Sequence, residues 1–417
     1  MSKEENRKNF SKYVSQNILG MIGFSCYVLA DSYFISIAKG ADGLTALNLV
    51  MPLSSIIFSI GEMIGVGSAI RYAISKIKKD ADADDYFWNA LIWCILSSML
   101  FVFAGIFFSA DIMRVLGADE HIVAVGNNYT KIFMCFAPMF MCNYVTNAFV
   151  RNDGAPGIAM SATLFSSLFN IVFDYILMFP MNLGMEGAAL ATALSPIIGM
   201  GICSIHFFSK KSSVRLVVCK PSVRKLVAGC QLGISAFVGE MSSAVITLAL
   251  NFVILKLAGN VGVAAYGVVA NIAIVTTAVF NGVAQGSQPL ISSCFGRGDK
   301  DGCTQLKRMG YTTAFVLAAV MYSILFIFAG QFVAVFNSEG SEMLRLYATE
   351  GVKLYFIGIF FAGINIVGGG AFSATEDAFK AAVVSVARGF VLILGAVFVM
   401  SALFGMTGEW LAYAVAE

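Results

Sequence analysis

Two aspartates stand where an apolar chain should carry none. Asp31 lies within Tyr27-Val-Leu-Ala-Asp-Ser-Tyr-Phe, and Asp174 within Asn170-Ile-Val-Phe-Asp-Tyr. An ionised carboxylate at mid-helix in hydrocarbon costs on the order of 3 kcal/mol on insertion scales. Such a side chain persists where it faces a bundle interior and binds something. Asn170 and Asp174 are four apart and share one helical face. The plainer reading makes the aspartates structural anchors paired to bases, but few bases are available at that height, Lys39 being the nearest in sequence. An unpaired carboxylate there holds a proton or a cation, so the expected chemistry is reversible binding of a proton or sodium ion at Asp31 and Asp174. Asn170 and Thr192 are expected beside them, with Asn143 and Asn147 as further candidates from the fourth segment.

A second set of polar residues points to a cavity. Glu240, in Gly233-Ile-Ser-Ala-Phe-Val-Gly-Glu, reads as the only deep acid of the second half. Glu62 faces Asn281 in an alignment of the two halves, and Asn365 lies in the tenth segment. These four are candidates for lining a substrate cavity, against the alternative of packing or structural hydrogen bonding. Arg388 is expected near the basic face. The two histidines are too few for a zinc site or a His-based catalytic centre, and the nine cysteines are scattered without Cys-x-x-Cys spacing. Phosphate-binding Gly-x-x-x-x-Gly-Lys-Ser/Thr loops are absent, which argues against ATP hydrolysis. The expectation is a protein that is not an enzyme, uses no cofactor beyond the coupling ion and binds no nucleic acid.

The elements that must position these residues are membrane helices. Hydrophobic residues make up 58% of the 417-residue chain and charged residues 12%. Apolar stretches reach the roughly 20 residues needed to cross about 30 Å of hydrocarbon. Threaded alternately through a bilayer, they leave 21 of the 27 Lys and Arg on one side, with Lys39, Arg114, Lys131, Lys256, Arg345 and Lys353 at or near the other. By the positive-inside rule the N-terminus is cytoplasmic. On this threading Asp31, Asp174 and Thr192 all fall in the outer half of the bilayer, and Asn143 fits that depth better than Asn147.

The chain also repeats itself. Gly184-Met-Glu-Gly-Ala-Ala-Leu-Ala-Thr-Ala returns as Gly405-Met-Thr-Gly-Glu-Trp-Leu-Ala-Tyr-Ala, and Gly40, Gly43 and Ala46 return as Gly259, Gly262 and Ala265. The fold class is therefore an all-α polytopic membrane protein made of two six-helix bundles in parallel repeat. The halves are 1–208 and 226–417, joined by a cytoplasmic linker at 209–225. The twelfth helix only begins near Gly408, so the chain is expected to be a fragment.

These residues resemble the multidrug and toxic compound extrusion (MATE) family, most closely its DinF/MepA-type bacterial branch. The resemblance is carried by Leu29-Ala-Asp-Ser-Tyr-Phe-Ile, Phe149-Val-Arg-Asn-Asp-Gly, Leu168-Phe-Asn-Ile-Val-Phe-Asp, the Gly184 decapeptide and Phe372-Ser-Ala. It implies two lobes around a cavity that opens alternately to each side. It also implies ion coupling at Asp31 and Asp174, with Asn170, Thr192 and an asparagine of helix four alongside. Glu240 falls at the place of a seventh-helix acid of the broader family, whereas the tenth-helix stretch Ala362 to Asn365 lacks the acid of the family's other main type. The implied function is export of amphipathic, often cationic compounds from a bacterial cell by a monomer in the inner membrane. The rival is a flippase for lipid-linked or polysaccharide precursors, which should need cavity bases that this chain scarcely offers.

Overall fold

The computed structural model describes residues 3–336 and 341–417. Every regular element among them is a helix. Nine of these helices are long and apolar enough to cross a membrane, ten if one bent pair is taken as a single span. The first half runs through Lys3–Gly40, Asp42–Lys78, Asp85–Val115, the bent pair Glu120–Cys135 and Ala137–Asn152, then Pro156–Met178 and Gly184–Phe207. These are called the first to sixth helices. The 46° bend in the fourth helix falls at Phe136, just before Pro138, whose ring cannot donate to the preceding turn.

Val223–Gly296 is 74 residues long, far more than one crossing needs. It breaks at Gly259 into a seventh helix (223–258) and an eighth (260–296). The ninth is Lys300–Ile327, continued by Ala329–Phe336, and the tenth is Glu342–Ala374. Ala378–Ala416 holds the eleventh helix and, past a break at Gly405, the start of a twelfth.

The breaks make the repeat visible in the backbone. Gly40 has φ 59° and ψ −143°, and Gly259, its copy, has φ 61° and ψ −156°. Gly184 and Gly405, the first residues of the repeated decapeptide, have φ 52° and 58°. L-residues avoid this region and glycine enters it freely. A Cβ at Gly40, Gly259 or Gly405 would meet nothing within 4 Å. Backbone conformation alone selects glycine there.

The halves meet through glycine at the end that carries the basic connectors. A Cβ on Gly233 would stand 1.9 Å from the Met63 carbonyl oxygen, and one on Gly67 2.0 Å from that of Gly229. Gly282 and Gly286 lie close against Ile18 and Val14, where a Cβ would stand 2.6 and 2.8 Å from their Cα atoms. Polar ties gather at the same end. Arg71 pairs with Glu376 and donates from Nε to the Ala228 carbonyl at 3.2 Å, and Asn6 donates to Gln305 at 3.2 Å.

The connector between the halves is fastened to the first half. Trp88 Nε1 donates to the Cys219 carbonyl at 2.8 Å, and the Ser222 N–H donates to Asn89 Oδ1 at 2.7 Å. Buried Asp153 accepts from the Ser213 N–H at 2.9 Å, the Ser212 hydroxyl at 3.2 Å and Tyr72 at 3.2 Å, and lies 2.8 Å from His206 Nε2. Half-buried Cys219 accepts from Asn89 Nδ2 at 3.3 Å, and burial raises its thiol above its ordinary value.

Candidate functional site

The first, fifth and sixth helices converge on one buried polar pocket. Asp31 is 7% exposed, Asp174 and Asn170 are fully buried, and Thr192 is 5% exposed. The Asp31 and Asp174 carboxyl groups lie within hydrogen-bonding range of each other. Neither oxygen of Asp174 nor Oδ1 of Asp31 has a donor among the described residues. Two carboxylates in contact without a donor repel each other when both are ionised, and a proton or a cation between them relieves that repulsion. Asn170 Nδ2 donates to Thr192 Oγ1 at 3.1 Å, which leaves Asn170 Oδ1 unpartnered beside Asp174 on the same helical face.

A cavity of about 80 Å³ reaches this pocket, lined by Tyr27, Asp31, Ser54, Tyr129, Phe133 and Thr192 among others. The cavity supplies carboxyl and hydroxyl oxygens and Asn170 an amide oxygen behind them, which suit a proton or a hard monovalent cation such as sodium. No group of three or more His, Cys, Asp or Glu capable of holding a metal occurs among the described residues.

The structure does not bring the fourth-helix asparagines to this pocket. Asn143 Oδ1 faces the sixth helix at Gly199, about two turns from Thr192 toward the basic end, and has no hydrogen-bond partner. Asn147 donates to the Ala159 carbonyl at 3.1 Å and to Thr163 at 3.2 Å, and accepts from Arg151 at 3.5 Å. It ties the fourth helix to the fifth and turns its remaining oxygen to that base.

Glu62 belongs to the junction between the halves. Gln285 Nε2 donates to Glu62 at 3.1 Å, while Arg151 Nη1 donates to Gln285 Oε1 at 2.7 Å. Glu240 lies within electrostatic reach of Glu62, and Tyr144 of both acids. Asn281 is half-buried on the eighth helix, next to the Gly282 contact with Ile18. Asn365 instead enters a separate polar centre, where its Nδ2 donates to Glu417 Oε2 at 3.0 Å and Arg388 Nη1 holds Glu417 at 2.7 Å. Arg388 lies on a π-helical turn, Ala387–Leu392, inside the eleventh helix and is paired there. Glu240 is joined in the second half by two further buried acids, since Glu409 is fully buried and the Glu417 side chain nearly so. Both fall in the last, shortest apolar stretch, where a sequence reading has no helix to place them on.

The MatE family model matches this chain twice, over residues 17–176 and 236–400, one copy in each half. Among curated proteins, the chain is similar to the multidrug export protein MepA of Staphylococcus aureus (strain MRSA252). The two are 28% identical over 412 residues, which is 96% of this chain and 88% of the relative. MepA of Staphylococcus saprophyticus is 26% identical over 407 residues, with the same coverage. Among solved structures, a MATE transporter crystallised with MaL6 superposes with TM-score 0.92 at 20% identity, covering 99% of this chain and 93% of that one. A MOP superfamily transporter from Pyrococcus furiosus, described as having a binding pocket of reversed polarity, superposes at 0.90 and 20% identity, with 99% and 92% covered.

Proposed function

Since the chain belongs to the MatE family of multi-pass membrane transporters, we propose that it is a secondary multidrug exporter driven by a proton or sodium ion bound at Asp31 and Asp174. The observation that carries this reading is the carboxyl pair, buried together with no donor between them. The N-terminus and the basic connectors are assigned to the cytoplasm by the positive-inside rule. The glycine-sealed junction then closes the molecule on the inside, and the cavity beside Asp31 takes its ion from outside.

The substrates are small amphipathic, often cationic compounds, held between the halves near Glu240, Tyr144 and Tyr27. The MepA proteins, by name, export multiple drugs. Ion and drug exchange only if each favours a different conformation or both compete for one. Ion binding neutralises the carboxyl pair and lets the first, fifth and sixth helices repack, whereas drug binding favours the form in which the pair is charged. Exchange of one proton for one monovalent cation moves no net charge, so each pH unit of gradient supplies about 1.4 kcal/mol.

Asp31→Asn keeps the size of the side chain and removes its charge cycle. The protein is expected to insert and fold while drug efflux from proteoliposomes, under imposed pH or sodium gradients applied one at a time, falls to background. Efflux at the unaltered rate would end the assignment.

A further inference from the structure

The exporter reading uses one buried carboxyl pair, yet the second half holds a buried acid that it leaves idle. Glu409 is fully buried, and both of its carboxyl oxygens lack a hydrogen-bond partner among the described residues. The adjacent Trp410 is also fully buried, with its Nε1 unpartnered. The break at Gly405 and the close approach of Gly408 to the Met400 carbonyl, which a Cβ would meet at 2.0 Å, fix where the twelfth helix starts.

The surroundings of Glu409 copy the elements that build the first-half cavity. Tyr266 follows Gly259 at the spacing at which Leu47 follows Gly40, and Leu47 lines the cavity beside Asp31. Tyr266 is within electrostatic reach of Glu409, stacks on Trp410 at 6.5 Å and bonds the Thr247 side chain. Thr247 and Asn251 share one face of the seventh helix, the copy of the helix that bears Asp31, and Asn251 Oδ1 has no hydrogen-bond partner among the described residues. The twelfth helix is the copy of the one that bears Thr192. The seventh, eighth and twelfth helices that meet at Glu409 thus correspond to the first, second and sixth, which supply part of the lining beside Asp31.

We propose that Glu409 is a second proton-carrying site, housed in the C-terminal half. This rests on the exporter reading above and adds a proton to each cycle. A proton fits better than sodium because aromatic rings, rather than a shell of oxygens, surround the carboxyl group. The titratable groups around it are few. Tyr266 faces it from the eighth helix, and beyond Tyr266 stand Tyr355 and Tyr413, stacked at 4.4 Å, which lead to the Glu417–Arg388 pair. From the tenth helix, Glu350 accepts from Thr407 at 2.7 Å at the exposed rim, and Lys353 sits over the Phe326 ring. No base pairs with Glu409 among the described residues. In the cycle, the carboxylic O–H bond breaks, its proton leaves to water on the side then open, and the carboxylate is reprotonated from the other side.

The test counts protons released when the full-length protein, in weakly buffered detergent solution, binds tetraphenylphosphonium, a lipophilic cation. Glu409→Gln mimics the protonated acid and cannot release a proton. Release per bound cation is expected to fall by up to one in E409Q and to persist in Glu409→Asp, which separates loss of the proton from loss of the fold. Equal counts in the unaltered protein and E409Q, with release abolished by Asp31→Asn, overturn this proposal and leave the exporter reading standing. Absence of release from every form overturns this proposal and leaves only an exporter coupled to sodium.

Discussion

Asp174 and Asp31 face each other without a donor, and that lack can be supplied by substitution. An amide at position 174 would offer N–H groups to the Asp31 carboxylate in a fully buried site. Giving a buried, unsatisfied acceptor a partner is worth roughly 1–3 kcal/mol. Asp174→Asn is thus expected to raise the thermal unfolding midpoint in detergent and to abolish its dependence on sodium concentration and pH. An unchanged midpoint with the ion dependence intact would count against the shared pocket. The same residues show how much of the site was legible in sequence. Asp31, Asp174, Asn170 and Thr192 stand out because polar groups in apolar helices have few explanations, and they converge here. Asn143 and Asn147 have the same chemistry, but they meet Gly199 and the fifth helix instead of the pocket, which their spacing does not reveal. Glu409 and Glu417 escaped notice for another reason: each lies in an apolar stretch too short to be assigned a depth.

Helices and their breaks were the most legible part of the chain. Hydropathy marks each apolar run, and paired glycines mark where the runs turn. The bend at Phe136 and the π-helical turn at Ala387–Leu392 are different, since prolines and bases also occur in many straight helices and mark neither. The glycine breaks allow a clean comparison between the halves. At Gly40 and Gly259 a methyl group has open space, so Gly40→Ala and Gly259→Ala test backbone conformation alone. Each is expected to destabilise the protein by roughly 1–3 kcal/mol, the cost of holding a side chain in that region, and by nearly equal amounts. Thermal unfolding of the two variants side by side measures this. A large loss in one and none in the other would mean that the repeated turns are not mechanically equivalent.

The whole molecule is joined where its two halves are smoothest. At Gly233 and Gly67 backbones pass so closely that a side chain on either would strike main-chain atoms, which cannot rotate away. Gly233→Leu is expected to part the halves at the basic end and to lengthen distances between spin labels placed across that junction, for instance on Lys12 and Lys300. Labels at unchanged separation would show that the contact yields elsewhere. The sequence made the twofold plan readable but not this junction, because small residues serve equally well for packing within a half.

The connector that follows Phe207 shapes any rocking of the halves. Its middle is clasped by Trp88, Asn89 and Asp153, so little slack remains before Val223 begins the second half. The two bundles are therefore pinned like blades of a pair of scissors rather than roped together, and the rivet travels with the first blade.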